Sequence, residues 1–204
     1  MASSAASGRA LTRFEQVLLG VIAAEPRSGY GLKKLFSTSP ASVYQPSPGA
    51  LYPALRRLQA RGLLRAEEKV SSGHRPLRLY HTTSAGRAVH LDWLREPVLA
   101  ATVGNDLGLH LMRFALMENE LPREAVTAFL DSLADALAGF VSALEHYLAA
   151  TARPADGHQE LAIQHGIMVH RASLEWARSA AAALAGPAPA TTDAPRIRAI
   201  WTAK

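Results

Sequence analysis

The residues best suited to meet a polyanion lie close together, in Gly49-Ala-Leu-Tyr52-Pro-Ala-Leu-Arg56-Arg57-Leu58. Arginine carries a planar fork of donors that can bind a guanine edge or a phosphate, and a tyrosine hydroxyl can donate to phosphate oxygen. Projected as a helix at about 100° per residue, Leu51, Leu55 and Leu58 face inward. Gly49, Pro53, Arg56, Arg57 and Ala60 then face outward, with Tyr52 and Gln59 on the flank. Small residues at the start would let the backbone approach base edges. The plain alternative is a solvated amphipathic helix.

Other candidate chemistry is thinner. The chain has eight histidines and no cysteine, so disulfides, cysteine-ligated zinc and a cysteine nucleophile are excluded. His158, His165 and His170 fall on one predicted helix, but their spacing puts His170 on a different face and no carboxylate completes a ligand set. No metal or cofactor is expected. Asp131 and Asp135 are four apart on an otherwise polar face, which reads as solvated surface rather than an acid/base pair. There is no glycine-rich phosphate loop and no Gly-x-Ser-x-Gly elbow, and nothing supports an enzyme.

Charge divides the chain. Residues 1–90 hold 13 Lys and Arg against 4 Asp and Glu, a balance of +9, whereas residues 91–204 hold 9 against 13, a balance of −4. The basic half suits a polyanion and the acidic half another task. No uninterrupted apolar run reaches the roughly 18 residues of a membrane span. The N-terminal segment lacks the apolar core of a signal peptide, so a soluble cytoplasmic protein is expected.

The elements that would position these residues can be read from caps and periodicity. Thr12 and Glu15 form a capping-box pattern ahead of a helix that should end before Pro26. Ser28 caps a second helix over Gly29 to Phe36. Ser47-Pro48 reads as cap and first position of a third helix, which Gly62 terminates. Pro53 falls inside that helix and is expected to kink or loosen its first turns. Leu63 to Val70 and Leu77 to Thr82 read as two strands with turn chemistry between them. Thr83 or Ser84 starts a fourth helix that stops before Pro97. Three helices followed by a two-stranded hairpin is the order of a winged helix, a helix-turn-helix variant.

Beyond Pro97 the pattern is helical. Asp106 to Glu118 is densely apolar, Pro122 opens a long helix, and a last helix spans His158 to Ala185. That last helix is apolar on two faces, Leu161, His165, Met168, Ala172 and Trp176 on one, Ile163, Ile167, Leu174 and Ala181 on the other. Both faces need cover, and a small domain usually supplies only one. The expected domains are a disordered leader over 1–10, a winged-helix DNA-binding domain over 11–97, a helical dimerisation domain over 98–185 and a flexible tail over 186–204.

Residues 13–97 resemble the winged-helix domain of PadR-type transcriptional regulators. The matching pieces are Ser28-Gly-Tyr-Gly-Leu32, Ser47-Pro-Gly-Ala-Leu-Tyr-Pro-Ala-Leu55, Arg57-Leu58 and Arg61-Gly-Leu-Leu64. Gly73-His-Arg-Pro76, Arg78, Tyr80 and Thr83-Ser-Ala-Gly86 follow in the expected order. Residues 98–185 resemble the helical C-terminal domain of the longer PadR subgroup by pattern rather than motif. Leu77, Leu79 and Thr82 depart from the family pattern in the wing.

The resemblance implies a homodimeric regulator of double-stranded DNA, usually a repressor, that binds an inverted repeat and releases it when a small molecule binds. The DNA contacts it implies are Tyr30, Ser47, Gly49, Tyr52, Arg56, Arg57, His74 and Arg75, with core packing as the competing role for Tyr30. Trp93 is the candidate for stacking on a small aromatic effector, with ordinary core packing as its competitor. A transcriptional activator on the same scaffold, or a helical protein-interaction module, would carry the same features.

Overall fold

The computed structural model describes residues 10–38, 49–69, 77–150 and 157–186. The fold is mainly helical with one small antiparallel sheet, in the order α1 (Arg13–Ala24), β1 (Arg27–Ser28), α2 (Gly29–Thr38), α3 (Leu51–Ala60), β2 (Leu64–Lys69), β3 (Leu77–Thr82) and α4 (Ser84–Arg95). Three helices follow: α5 (Ala100–Leu116), α6 (Arg123–Ala150) and α7 (His158–Ala185). The chain divides between Trp93 and Leu94 into two compact units.

In the first unit, local signals set the element ends. The Thr12 hydroxyl accepts from the Glu15 N–H at 3.3 Å, and Glu15 Oε2 accepts from the Thr12 N–H at 2.8 Å, a complete capping box. The Ser28 hydroxyl accepts from the Gly31 N–H at 3.0 Å as α2 begins. Helix α3 ends at Gly62, whose φ of +68° is a left-handed conformation that a side chain would strain. The Leu63 N–H then bonds the Leu58 carbonyl at 3.0 Å and the Gly62 N–H the Gln59 carbonyl at 2.9 Å, the paired closure of a Schellman cap.

The strands β2 and β3 pair antiparallel, with Leu64 opposite Thr82 and Lys69 opposite Leu77. The two-residue β1 adds a third strand on the far side of β3, with Arg27 opposite Tyr80. Sequence reading missed it, because two residues carry no periodicity. The Thr83 hydroxyl donates to the Gly62 carbonyl at 2.7 Å and accepts from the Gly86 N–H at 3.0 Å, tying the start of α4 to the end of α3. Val17, Leu18, Leu32, Ala54, Leu55 and Leu58 are fully buried and form the core between α1, α2 and α3.

Two expectations for α3 are corrected. The helix does not begin on Ser47-Pro48: its N-cap is Ala50, and Gly49 before it has a φ of +84°, outside the helical region. Ser47 and Pro48 themselves lie outside the described residues. With the helix starting at Leu51, Pro53 occupies the first turn, where backbone N–H groups have no intrahelical acceptor. The first helical bond runs from the Ala54 N–H to the Ala50 carbonyl at 3.1 Å, so Pro53 removes no bond and no kink is needed.

In the second unit, α6 buries Phe129, Leu130, Leu133, Leu137 and Val141 and packs against α5 and α7. It is the one described helix long and apolar enough to cross a membrane by length and composition. That buried stripe, with Asp131 and Asp135 exposed beside it, makes it the central helix of this unit. Helix α5 begins at Ala100, earlier than expected, and kinks at Asp106, whose φ of −119° and ψ of 15° are not helical. Arg113 is buried over the Phe129 ring at 4.5 Å and donates to the Glu96 carbonyl. Burial lowers its pKa to about 10, partly offset by the Glu96 carboxylate. The Arg123 guanidinium holds the carbonyls of Ala183, Leu184 and Gly186 at the C-terminal end of α7.

Candidate nucleic-acid interface

The α3 projection holds in its main lines. Leu51, Leu55 and Leu58 are buried together with Ala54, while Tyr52, Arg56, Arg57 and Ala60 are exposed. A helix with one closed apolar stripe and arginines opposite it is held firmly by its core face and free to present the other.

Tyr30 lies at the start of α2 and is 74% exposed, so it does not pack in the core beneath that helix. Tyr52 is 48% exposed, and its ring lies against Gly29, where an added Cβ would come within 2.8 Å of Cε1. The absence of a side chain at Gly29 thus seats the Tyr52 ring beside the start of α2, next in sequence to Tyr30. Both helices of the helix-turn-helix pair therefore contribute an exposed tyrosine.

The two adjacent arginines differ. Arg56 is exposed and has no hydrogen-bond or ion-pair partner among the described residues. Arg57 donates through Nε to Glu15 Oε1 at 2.6 Å, with the carboxylate side chain 4% exposed and the arginine side chain 55% exposed. Burial opposes ionisation of Glu15, but the Thr12 backbone donor and the Arg57 guanidinium outweigh it and hold the carboxyl below its ordinary range. Sequence reading paired Glu15 with Thr12 only. The Arg57 contact spans 42 positions and has no local signal.

Two further residues join the surface. Gln59 is half-buried on the flank of α3 and accepts from an Arg78 guanidinium nitrogen at 3.4 Å, linking α3 to β3. Arg78 also lies over the Tyr80 ring at 5.7 Å. His74, Arg75 and Ser47 lie outside the described residues. Gly49 immediately precedes α3 and is exposed. Trp93 is 5% exposed, with its ring 6.0 Å from that of His90.

Three packed helices with a β-wing after the third define a winged-helix domain. Residues 18–91 match the model of the Transcriptional regulator PadR-like family, and residues 105–185 match Virulence activator alpha C-term. Residues 18–91 form a PadR-like transcriptional regulator family domain, and the match over 105–185 fits the longer subgroup. Over 45 residues it is 56% identical to the transcriptional regulator Rv3488 of Mycobacterium tuberculosis, a match covering 22% of this chain and 41% of that regulator's length.

Similar solved structures include Bacillus subtilis PadR in complex with operator DNA, 16% identical over 86% of this chain and 99% of that one, with a TM-score of 0.42. The PadR-like regulator BC1756 of Bacillus cereus is 20% identical over 87% of this chain and 99% of its own, with a TM-score of 0.41. Bacillus subtilis PadR in complex with p-coumaric acid is 18% identical over 86% of this chain and 97% of its own, with a TM-score of 0.38.

Proposed function

We propose that this regulator is a cytoplasmic homodimer that binds an inverted-repeat operator in double-stranded DNA and acts as a repressor. The observation that carries the reading is the exposed set Tyr30, Tyr52, Arg56 and Arg57 on the helix-turn-helix pair, within a half of the chain carrying +9. Neither tyrosine is needed to close the core, and the arginines suit phosphate and guanine. Gly49 and the wing residues His74 and Arg75, together with Ser47, complete the proposed contact surface.

Support for the dimer comes from α7. Ile167 and Ala181 on one predicted face are buried, and Ile163 and Leu174 are half-buried. Leu161, His165, Met168, Ala172 and Trp176 on the other are all exposed, Met168 by 68%. An apolar stripe of that length is best covered by a second copy, and a two-fold dimer would present two α3 helices about 34 Å apart, or a multiple of it. The proposed role of Trp93 is to line a site for a small aromatic effector. Its support is the adjacent His90 Nδ1, which is buried and has no hydrogen-bond partner among the described residues.

The test is fluorescence anisotropy of the full chain with a duplex from the region upstream of its own gene. The Arg56→Ala/Arg57→Ala variant should bind at least tenfold more weakly, since a single good arginine–guanine contact contributes about 1–3 kcal/mol. Unchanged affinity in that variant at physiological salt would refute the assignment.

A further inference from the structure

We infer that Glu15 is a positioning residue for Arg57, and that the pair presents a preset phosphate clamp at the edge of α3. The inference rests on the DNA-binding reading above and assigns different work to the two adjacent arginines. Arg57 is tethered through Nε alone, at 2.6 Å, to a carboxylate that is nearly inaccessible. The other oxygen of that carboxylate is occupied by the Thr12 N–H at 2.8 Å. Both oxygens therefore have donors, and the carboxylate neither swings nor reaches further along the guanidinium. The terminal nitrogens of the half-exposed guanidinium have no hydrogen-bond partner among the described residues.

A long arginine side chain ordinarily loses rotamer freedom when it docks on a phosphate. Here much of that loss has already occurred in the folded chain, because the capping box fixes Glu15 and Glu15 fixes Arg57. Arg56, one residue earlier, has no partner among the described residues and keeps its freedom. A preset guanidinium suits the invariant phosphate backbone, whose contacts set register rather than sequence.

The decisive variant is Glu15→Gln. Glutamine serves the capping box as well as glutamate does, so the start of α1 is kept while the charge pair with Arg57 is lost. The probe is a labelled duplex of mixed sequence, because a phosphate clamp does not depend on sequence. Measurements are made on the full chain near physiological salt, where the Debye length is about 8 Å and long-range electrostatic terms are reduced. Glu15→Gln should bind roughly three- to tenfold more weakly, the order expected for ordering one long side chain on binding. Arg57→Ala should lower the slope of log affinity against log salt by about one. In the Arg57→Ala background, Glu15→Gln should produce no further loss, a result that a purely structural role for Glu15 would not give.

Unchanged or tighter binding by Glu15→Gln overturns the proposal, the latter by showing that Glu15 withholds Arg57 from DNA. Equal losses from Glu15→Gln with and without Arg57 also overturn it. A wild-type chain with no salt-dependent affinity for any duplex overturns the DNA-binding reading itself, and this inference with it.

Discussion

His90 should make the first unit acid-sensitive over a definable range. Its side chain is buried, and burial, reinforced by the nearby Arg87, lowers its pKa from 6.5 to about 4. In the unfolded chain the imidazole regains its ordinary value, so between about pH 6.5 and pH 4 the unfolded state binds the extra proton. Stability is therefore complete above about pH 6.5 and declines as the pH falls toward 4. A tenfold change in proton affinity between the folded and unfolded chain corresponds to about 1.36 kcal/mol, so the full loss is about 3 kcal/mol. That is a large share of the stability of an ordinary domain.

The assay is urea denaturation of wild type and His90→Leu at half-unit steps from pH 8 to pH 4, followed by circular dichroism. Leucine offers similar bulk with no group to protonate, and it leaves behind no unpaired Nδ1. Glu15 also contributes: its lowered pKa gives stability present above the unfolded carboxylate value and lost as the pH falls through the folded one. That contribution is common to both proteins and cancels in the difference. The difference between the two curves should grow by about 3 kcal/mol on acidification. Parallel curves across the whole range would refute the reasoning.

Two further outcomes are expected. Gly86→Ala would place a Cβ 2.1 Å from the Leu63 carbonyl oxygen and 3.0 Å from Thr82 Cγ2, so backbone must move. The loss should be about 1–3 kcal/mol by denaturant titration, as for other overpacked sites, and a loss under about 0.5 kcal/mol would show that α4 shifts freely. Met168→Glu should convert the proposed dimer to monomer in light scattering at micromolar concentration while leaving the helical circular dichroism intact, because a charge would have to be desolvated in an apolar contact. A dimer that survives it places the interface elsewhere.

The amino-acid sequence by itself determined what depends on a few consecutive residues. The Thr12–Glu15 box, the Ser28 cap, the stop at Gly62, the Thr83 cap and the span of α7 were all legible. Each rests on hydrogen bonds or on a helical period that closes within a few positions. The inward set Leu51, Leu55 and Leu58 and the two faces of α7 were legible for the same reason. The tertiary structure alone decided which α7 face is covered by α6, that Tyr30 points to solvent, and that β1 pairs with β3. It also decided that Pro53 sits harmlessly in a first turn, since the start of α3 follows from the conformation at Gly49 rather than from the nearest cap-like serine. The pairing of Arg57 with Glu15 belongs here too. Two residues 42 positions apart meet only because α1 and α3 pack together, and that packing depends on the whole core rather than on any stretch of sequence.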